Sequence, residues 1–268
     1  MPPGTLITPS QSKTPHDSAS RGVDTDIWKK KNLLQLFNIS IGFLGIQFAW
    51  AIQMGQMSPL LERLGSNPQL LGLISCAGPV TGVLIQPLVG ALSDQCKLPL
   101  GRRRPFLLLG ALLTALALVL MPNATAVANS FGGFLAVEPL MIAAILLWVL
   151  DASINVTQGP YRALVPDVVH KTQQATAYSL MSLTIGLGSV AAFLVAFQIT
   201  DLHTLFYMGA SAMLVAMLWT SFTTPEPKPV SAAQVDGPQD TFLVSTVKSI
   251  ASMPAEGMKL CVAHMFTW

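Results

Sequence analysis

Pro139-Leu-Met-Ile-Ala-Ala-Ile-Leu-Leu-Trp-Val-Leu150 is an unbroken apolar run, and Asp151 follows it directly. Three more polar residues continue from that acid at helical spacing: Asn155, Gln158 and Arg162. With 3.6 residues per turn, the four polar positions fall within an arc of roughly 60°, so they form one polar stripe on an apolar helix. The stretch therefore predicts a helix in lipid that carries a buried acid.

A carboxylate in the middle of a membrane span is expensive. Its insertion costs at least roughly 2.5 kcal/mol, and such groups normally face a bundle interior or a wet cavity. Asp151 is therefore a candidate contact for an ion or a substrate. The alternative is a structural acid that bonds to a neighbouring helix.

The composition of the 268-residue chain indicates that its solvent is lipid. Hydrophobic residues make up 51% of the sequence and charged residues 10%, and the mean hydropathy is +0.55, which is too apolar for a soluble chain. The cysteines form no CxxC pair, the histidines are scattered, and no nucleophile–base set stands out. We therefore expect no enzyme activity, no metal site, no cofactor and no nucleic-acid partner.

Six apolar stretches are each close to the roughly 20 residues that cross a bilayer as a helix. They lie near 33–57, 69–92, 105–122, 135–158, 175–199 and 203–222. The sequence thus predicts an all-α membrane protein with a six-transmembrane-helix bundle over 32–222. Within it, Gly78-x-x-x-Gly82 and Gly186-Leu-Gly-Ser-Val-Ala191 are interpreted as sites of close helix packing.

The positions of the basic residues predict the orientation. Of the 15 Lys and Arg, all but Arg63 fall in the N-terminal segment, in the second and fourth loops or after the sixth stretch. Positive loops stay in the cytoplasm, so both ends of the bundle should be cytoplasmic, which requires an even number of spans. We expect a multi-pass protein of the plasma membrane, or of the inner membrane if the source is bacterial.

The segments outside the bundle differ in composition. Residues 1–31 are rich in Ser, Thr, Pro and charge and predict a disordered cytoplasmic tail, and the proline-rich 223–241 predicts a cytoplasmic linker. Residues 242–258 predict either an amphipathic helix on the membrane surface or a weakly ordered tail. The apolar run in 259–268 is too short to cross a bilayer, so we expect the start of a truncated seventh helix.

The loop between the second and third stretches combines an acid, glycines and arginines: Gly90, Asp94, Gly101, Arg102, Arg103 and Arg104. An acid at one helix end, a glycine that allows a sharp turn and arginines at the next helix start can form a charge-assisted network across a short loop. Such a network would latch one conformation. The alternative is a positive anchor, which explains the arginines but not Asp94 or the glycines.

Here the chain resembles the major facilitator superfamily, whose signature between helices two and three runs Gly, Asp, Gly and then basic residues. The long insert Gln95-Cys-Lys-Leu-Pro-Leu100 and the following Gly-Arg-Arg-Arg-Pro are similar to the sucrose-transporter branch of that superfamily. Three other segments carry the same resemblance, at 45–53, 78–87 and 150–164. The resemblance covers about 28–268 and implies the N-terminal half of a twelve-helix fold.

The resemblance also implies residue roles in the fourth span. Asp151 would be the proton-coupling carboxylate. Asn155 and Gln158 would offer hydrogen bonds to the substrate, and Arg162 would contribute to the cytoplasmic gate. Arg162 lies roughly 16 Å from Asp151 along a helix, so any coupling between them must run through substrate, water or another helix.

Trp50 and Gln53 in the first span are further candidates for substrate contacts. They lie about 60° apart on a helix, where the indole could stack on a sugar face and the amide could bond a sugar hydroxyl. Ordinary helix packing is the alternative.

Two functional hypotheses follow from these observations. The first is proton-coupled transport of a sugar of the disaccharide or glycoside class by alternating access, with this chain as the N-terminal half. Its partners would be the sugar, protons, the bilayer and either a second six-helix half or a second copy. The alternative is a truncated, non-transporting membrane fragment or a subunit of a split or dimeric transporter.

Overall fold

The computed structural model describes residues 29–96, 98–131, 138–226 and 259. Every regular element in these residues is a helix, as the sequence predicts. The α-helices are α1 (Leu33–Arg63), α2 (Pro68–Ser75), α3 (Ala77–Asp94), α4 (Arg104–Leu120), α5 (Ala124–Phe131), α6 (Pro139–Val168), α7 (Gln174–Gln198) and α8 (Leu202–Thr223). Residues 1–28 of the predicted tail over 1–31, and the segments after 226 except Lys259, lie outside the described residues.

Six helices within the described residues are long and apolar enough to cross a membrane, and the chain is a multi-pass membrane protein. Two of them are composite, because α2 and α3 follow one another across Cys76, and a 3₁₀ turn at Met121–Asn123 joins α4 to α5. The prediction of six spans in an all-α bundle is confirmed.

Several predicted boundaries were too short. The first span continues to Arg63, the third to Ser130, and the fourth runs from Pro139 to Val168 instead of ending near 158. Pro160 and Pro166 lie inside α6 without ending it, because prolines are tolerated in membrane helices whose freed backbone groups find other partners.

Helix α1 is the centre of the bundle. It packs along both α7 and α8, while α4 packs against α6 and α8. Helices α3 and α7 each pack mainly against one helix, α6 and α1 respectively. Between them lies a continuous apolar core whose fully buried members include Ile46, Leu61, Leu107, Leu118, Leu147 and Phe206.

A buried tyrosine fixes α6 to α1. The Tyr161 hydroxyl donates to the Ile39 carbonyl and accepts from the Gly42 amide at 3.1 Å. Its ring meets the Phe43 ring edge-on, with centroids 4.5 Å apart and planes at 84°. A phenol that is both packed and hydrogen-bonded in this way sets the height and rotation of α6 relative to α1.

Small residues let α7 approach α1 closely. A Cβ atom at Gly188 would lie 2.6 Å from the Leu44 carbonyl oxygen, whereas a Cβ atom at Gly186 would meet nothing within 4 Å. The predicted packing role of the segment Gly186–Ala191 therefore rests on Gly188.

The replacement Gly188→Ala should lower the stability of the bundle by about 1–3 kcal/mol, because the added methyl group overpacks the α1–α7 contact. Gly186→Ala, on the same helix, should be neutral or stabilise by up to about 1 kcal/mol, because alanine favours an open helical position. Thermal unfolding of both variants in detergent checks the pair. Equal destabilisation would contradict the close approach at Gly188.

Candidate functional site

Asp151 lies in the middle of α6 and faces the bundle interior. Its side chain is 4% exposed, and its Oδ1 accepts a hydrogen bond from Gln53 Nε2 of α1 at 2.7 Å. Its Oδ2 lies toward Gly78 of α3, where a Cβ atom would be 3.8 Å away. Within the described part of the chain Asp151 has no ion-pair partner, so its partner is a neutral amide.

Asn155, one turn further along α6, joins this helix to α3. Its Nδ2 donates to Thr81 Oγ1 at 3.1 Å and to the Asp151 carbonyl at 2.9 Å. Its Oδ1 accepts from Gln86 Nε2 at 2.6 Å. Gly82 of α3 also faces the Asn155 side chain, because a Cβ atom at Gly82 would lie 3.7 Å from Asn155 Oδ1. The predicted packing at Gly78 and Gly82 thus brings α3 against the polar stripe of α6.

An open cavity of about 550 Å³ lies beside this pair of helices. That volume is within the usual range for a small-molecule site. Its walls come from α1, α3, α6 and α7 and consist of Phe43, Gln47, Trp50, Met54, Gly78, Pro79, Gln158, Arg162 and Ile185. The walls combine aromatic faces, two amides and one cation, which suits a ligand with hydroxyl groups and an apolar face.

The predicted substrate contacts fall into two groups. Trp50 and Gln158 lie on the cavity wall together with Arg162, whereas Gln53 and Asn155 lie behind the wall in hydrogen bonds to other residues. The Gln158 Oε1 atom has no hydrogen-bond partner among the described residues. A buried acceptor of this kind is costly unless water or a ligand supplies a donor.

Arg162 does not lie in the loop where the sequence placed it. It belongs to α6, which continues for six more residues to Val168. The guanidinium carbon lies 6.0 Å from the centroid of the Phe43 ring, within cation–π range. The helix is longer than predicted, so Arg162 presents its charge on the cavity wall and not at the end of the span.

The arginines of the second loop form the predicted network at one end of the bundle, here called the basic end. Arg103 is 5% exposed and pairs with Asp94 at 2.5 Å and with Asp167 at 3.1 Å. It also donates to Ser93 Oγ at 2.5 Å, and Arg102 pairs with Asp167 at 2.9 Å. This arginine network joins the ends of α3, α4 and α6.

A second acid, Glu226, extends the network to the chain that follows α8. Its carboxylate accepts from the main-chain amides of Arg102 at 3.0 Å and Arg103 at 2.7 Å. Gly101 has a φ of +110°, and any side chain there would strike Glu226. Gly101 is therefore the turn glycine, whereas Gly90 lies inside α3 with open space around it.

Sequence reasoning missed several residues of the site. Thr81 and Gln86 escaped notice although they repeat at helical spacing with Gly78 and Gly82. Gln47 precedes Trp50 by three residues on the same face of α1, a spacing that could have revealed it. Asp167 and Glu226 carry no local signal, because their partners lie 65 and 124 residues away along the chain.

Comparison with known proteins agrees with this architecture, since residues 39–268 match the Major Facilitator Superfamily. The chain belongs to the Major Facilitator Superfamily. The predicted resemblance to its sucrose-transporter branch is confirmed by three relatives.

The general alpha-glucoside permease of Schizosaccharomyces pombe is 28% identical over 89% of this chain and 46% of its own length. Sucrose transport protein SUC4 of Arabidopsis thaliana is 34% identical over 67% of this chain and 36% of its own length. Sucrose transport protein SUT2 of Oryza sativa subsp. indica is 28% identical over 90% of this chain and 54% of its own length. This Major Facilitator chain thus spans about half the length of the curated relatives it matches.

Arg103 and Arg102 give a direct test of the arginine network in this Major Facilitator chain. Arg103→Gln should destabilise the bundle by about 3 kcal/mol, because it leaves the partly buried Asp167 short of a partner. Arg102→Gln removes the same charge from a more exposed side chain and should cost less than about 1 kcal/mol. Thermal unfolding of both variants separates a structural network from a simple positive anchor, for which the two replacements would be equivalent.

Proposed function

We propose that this chain forms the N-terminal six-helix half of a proton-coupled sugar transporter, and that it is not an enzyme. The observation that carries the proposal is the contact between Asp151 and Gln53 directly behind a cavity walled by Trp50, Gln158 and Arg162. An acid with a neutral partner, beside a space for a small polar ligand, is the arrangement that coupling of a proton to a solute requires.

The substrate is a sugar of the disaccharide or glycoside class. The alpha-glucoside permease and sucrose transport proteins that resemble the chain support this class. Trp50 stacks on an apolar sugar face, while Gln158 Oε1 accepts from a hydroxyl and Gln47 and Arg162 donate to hydroxyl oxygens. Gln53 and Asn155 act one layer behind the sugar by holding Asp151 and α3 in place.

The proton step depends on the neutral partner of Asp151. Gln53 donates to one carboxyl oxygen, and that hydrogen bond remains whether the other oxygen carries a proton or not. A cationic partner would instead hold the carboxylate in its charged form. Asp151 therefore takes up and releases a proton without disrupting the contact between α1 and α6.

The arginine network serves as the conformational latch of the basic end, which faces the cytoplasm of a plasma-membrane protein. Opening that end requires the ends of α3, α4 and α6 to separate, and the ion pairs of Arg103 with Asp94 and Asp167 oppose the separation. Alternating access needs a second six-helix unit that moves against this one. We propose a distinct C-terminal half as that partner, with a second copy of this chain as the alternative.

Asp151→Asn tests the coupling role, because asparagine keeps an acceptor for Gln53 but cannot carry the proton. We expect accumulation of labelled sucrose or maltose driven by a pH gradient to be abolished, while sugar counterflow without a gradient is retained. The assay uses cells that lack sugar uptake and express the chain together with a C-terminal six-helix half. Asp201→Asn is the matched control, because Asp201 caps α8 in an exposed hairpin and asparagine caps helices equally well.

The outcomes separate the parts of the proposal. If Asp151→Asn still accumulates sugar against its gradient, the coupling role is wrong. If the wild-type chain supports neither accumulation nor counterflow with any second half or with its own second copy, the transport proposal itself fails.

A further inference from the structure

A second, smaller cavity lies at the basic end between the start of α1 and the end of α8, and it shares no lining residue with the cavity beside Asp151. Its volume is about 250 Å³. Its walls include one cation, two amides, two hydroxyls and an apolar side: Lys31, Gln35, Asn38, Thr223, Thr224 and Leu34. Neither the transport mechanism nor the arginine network uses the Lys31 side chain.

Lys31 is held in place by its main chain. Its amide donates to Gln173 Oε1 at 2.8 Å, and its carbonyl accepts from Gln173 Nε2 at 2.7 Å. Within the described residues its ammonium group forms no ion pair. Partial burial lowers the pKa of Lys31 below its ordinary value, so a nearby anion would relieve the cost of the charge.

The opposite wall supplies an unused hydroxyl. Thr224 is 1% exposed, and its Oγ1 has no hydrogen-bond partner among the described residues. Its carbonyl accepts from Arg104 Nη2, and Asn38 Nδ2 donates to the neighbouring Thr223 Oγ1 at 2.8 Å. Both walls are therefore fixed by hydrogen bonds to other elements, and the cavity is preformed. Glu226 does not compete for Lys31, because its carboxylate is bound to the amides of the second loop.

We propose that this cavity binds the phosphate group of an anionic membrane lipid. A phosphate offers enough acceptors for the ammonium, the hydroxyl and an amide at once, and basic pockets between helices near the membrane surface bind such headgroups. The surroundings favour a lipid over a free ion, because Leu34 is 81% exposed and Phe222 79% exposed near the cavity. Acyl chains would run along these apolar side chains while the headgroup occupies the cavity.

The test measures binding of dioctanoyl phosphatidylglycerol to the purified full chain in a non-ionic detergent, by native mass spectrometry and by the shift in thermal unfolding. Dioctanoyl phosphatidylcholine and inorganic phosphate are the comparison ligands. Lys31→Gln should weaken binding of phosphatidylglycerol about tenfold, because it removes a charge-assisted hydrogen bond. Lys30→Gln is the matched control, since it removes an equal charge from the adjacent residue, which is not on the cavity wall.

Thr224→Val gives a second and milder variant. It replaces an unpartnered hydroxyl with a methyl group of the same shape, so the fold is preserved, and it should weaken binding roughly threefold. This variant decides the question if Lys31→Gln fails to fold. Unchanged affinity in Thr224→Val would overturn the proposed site.

Three other outcomes would also overturn it. Equal weakening by Lys30→Gln and Lys31→Gln would mean that charge at the surface attracts the lipid without a defined site. Equal affinity for phosphatidylcholine would remove the need for an anion. Tight binding of inorganic phosphate, with no gain from the lipid, would assign the cavity to a free phosphate.

Discussion

The structure depends on the requirement that polar groups inside a membrane span find partners within the protein. Lipid supplies no hydrogen bonds, so a buried amide, hydroxyl or carboxyl that meets no side chain, backbone group, water or ligand costs free energy. The contact between Asp151 and Gln53 meets this requirement between α6 and α1, and the bonds of Asn155 meet it between α6 and α3. These contacts fix the helices that surround the larger cavity, so the placement of the cavity follows from them.

The fold was largely predictable from sequence. Apolar length and the distribution of positive charge predicted six spans, and the structure describes six. The errors lay at helix ends, where α4 leads through a 3₁₀ turn into α5 and where α6 continues through Pro160 and Pro166. In water those prolines would carry more weight, but in a membrane the cost of exposing backbone groups to lipid favours continuing the helix. Because α6 continues past its predicted end, Arg162 lies on the cavity wall and not in the loop where the sequence placed it.

The candidate site was most predictable on the helix that carries an acid. Asp151 identified the polar stripe on α6, because the insertion of an acid into lipid is costly and such an acid normally has a functional or structural partner. Several residues that bond across helices gave no comparable signal. Gln86, Asp167 and Glu226 are ordinary residues in the sequence, and their importance depends on which helices become neighbours. The division of Gln53 and Trp50 between an inner layer and the cavity wall likewise depends on the rotation of α1, which Tyr161 helps to set.

The charged residues of the arginine network are synthesised in an order that separates the arginines from most of their acidic partners. Arg102 and Arg103 leave the ribosome well before Asp167 and Glu226. Of the three acids in the network, only Asp94 is made before these arginines. When the third span enters the membrane, most of the positive charge in its leading loop is therefore uncompensated, and positive loops are retained on the side of synthesis. The acids arrive later and bind the same arginines. The same arginines can therefore act as a positive anchor while the chain inserts and as a network between helix ends once it has folded, so the two interpretations of this loop do not exclude one another.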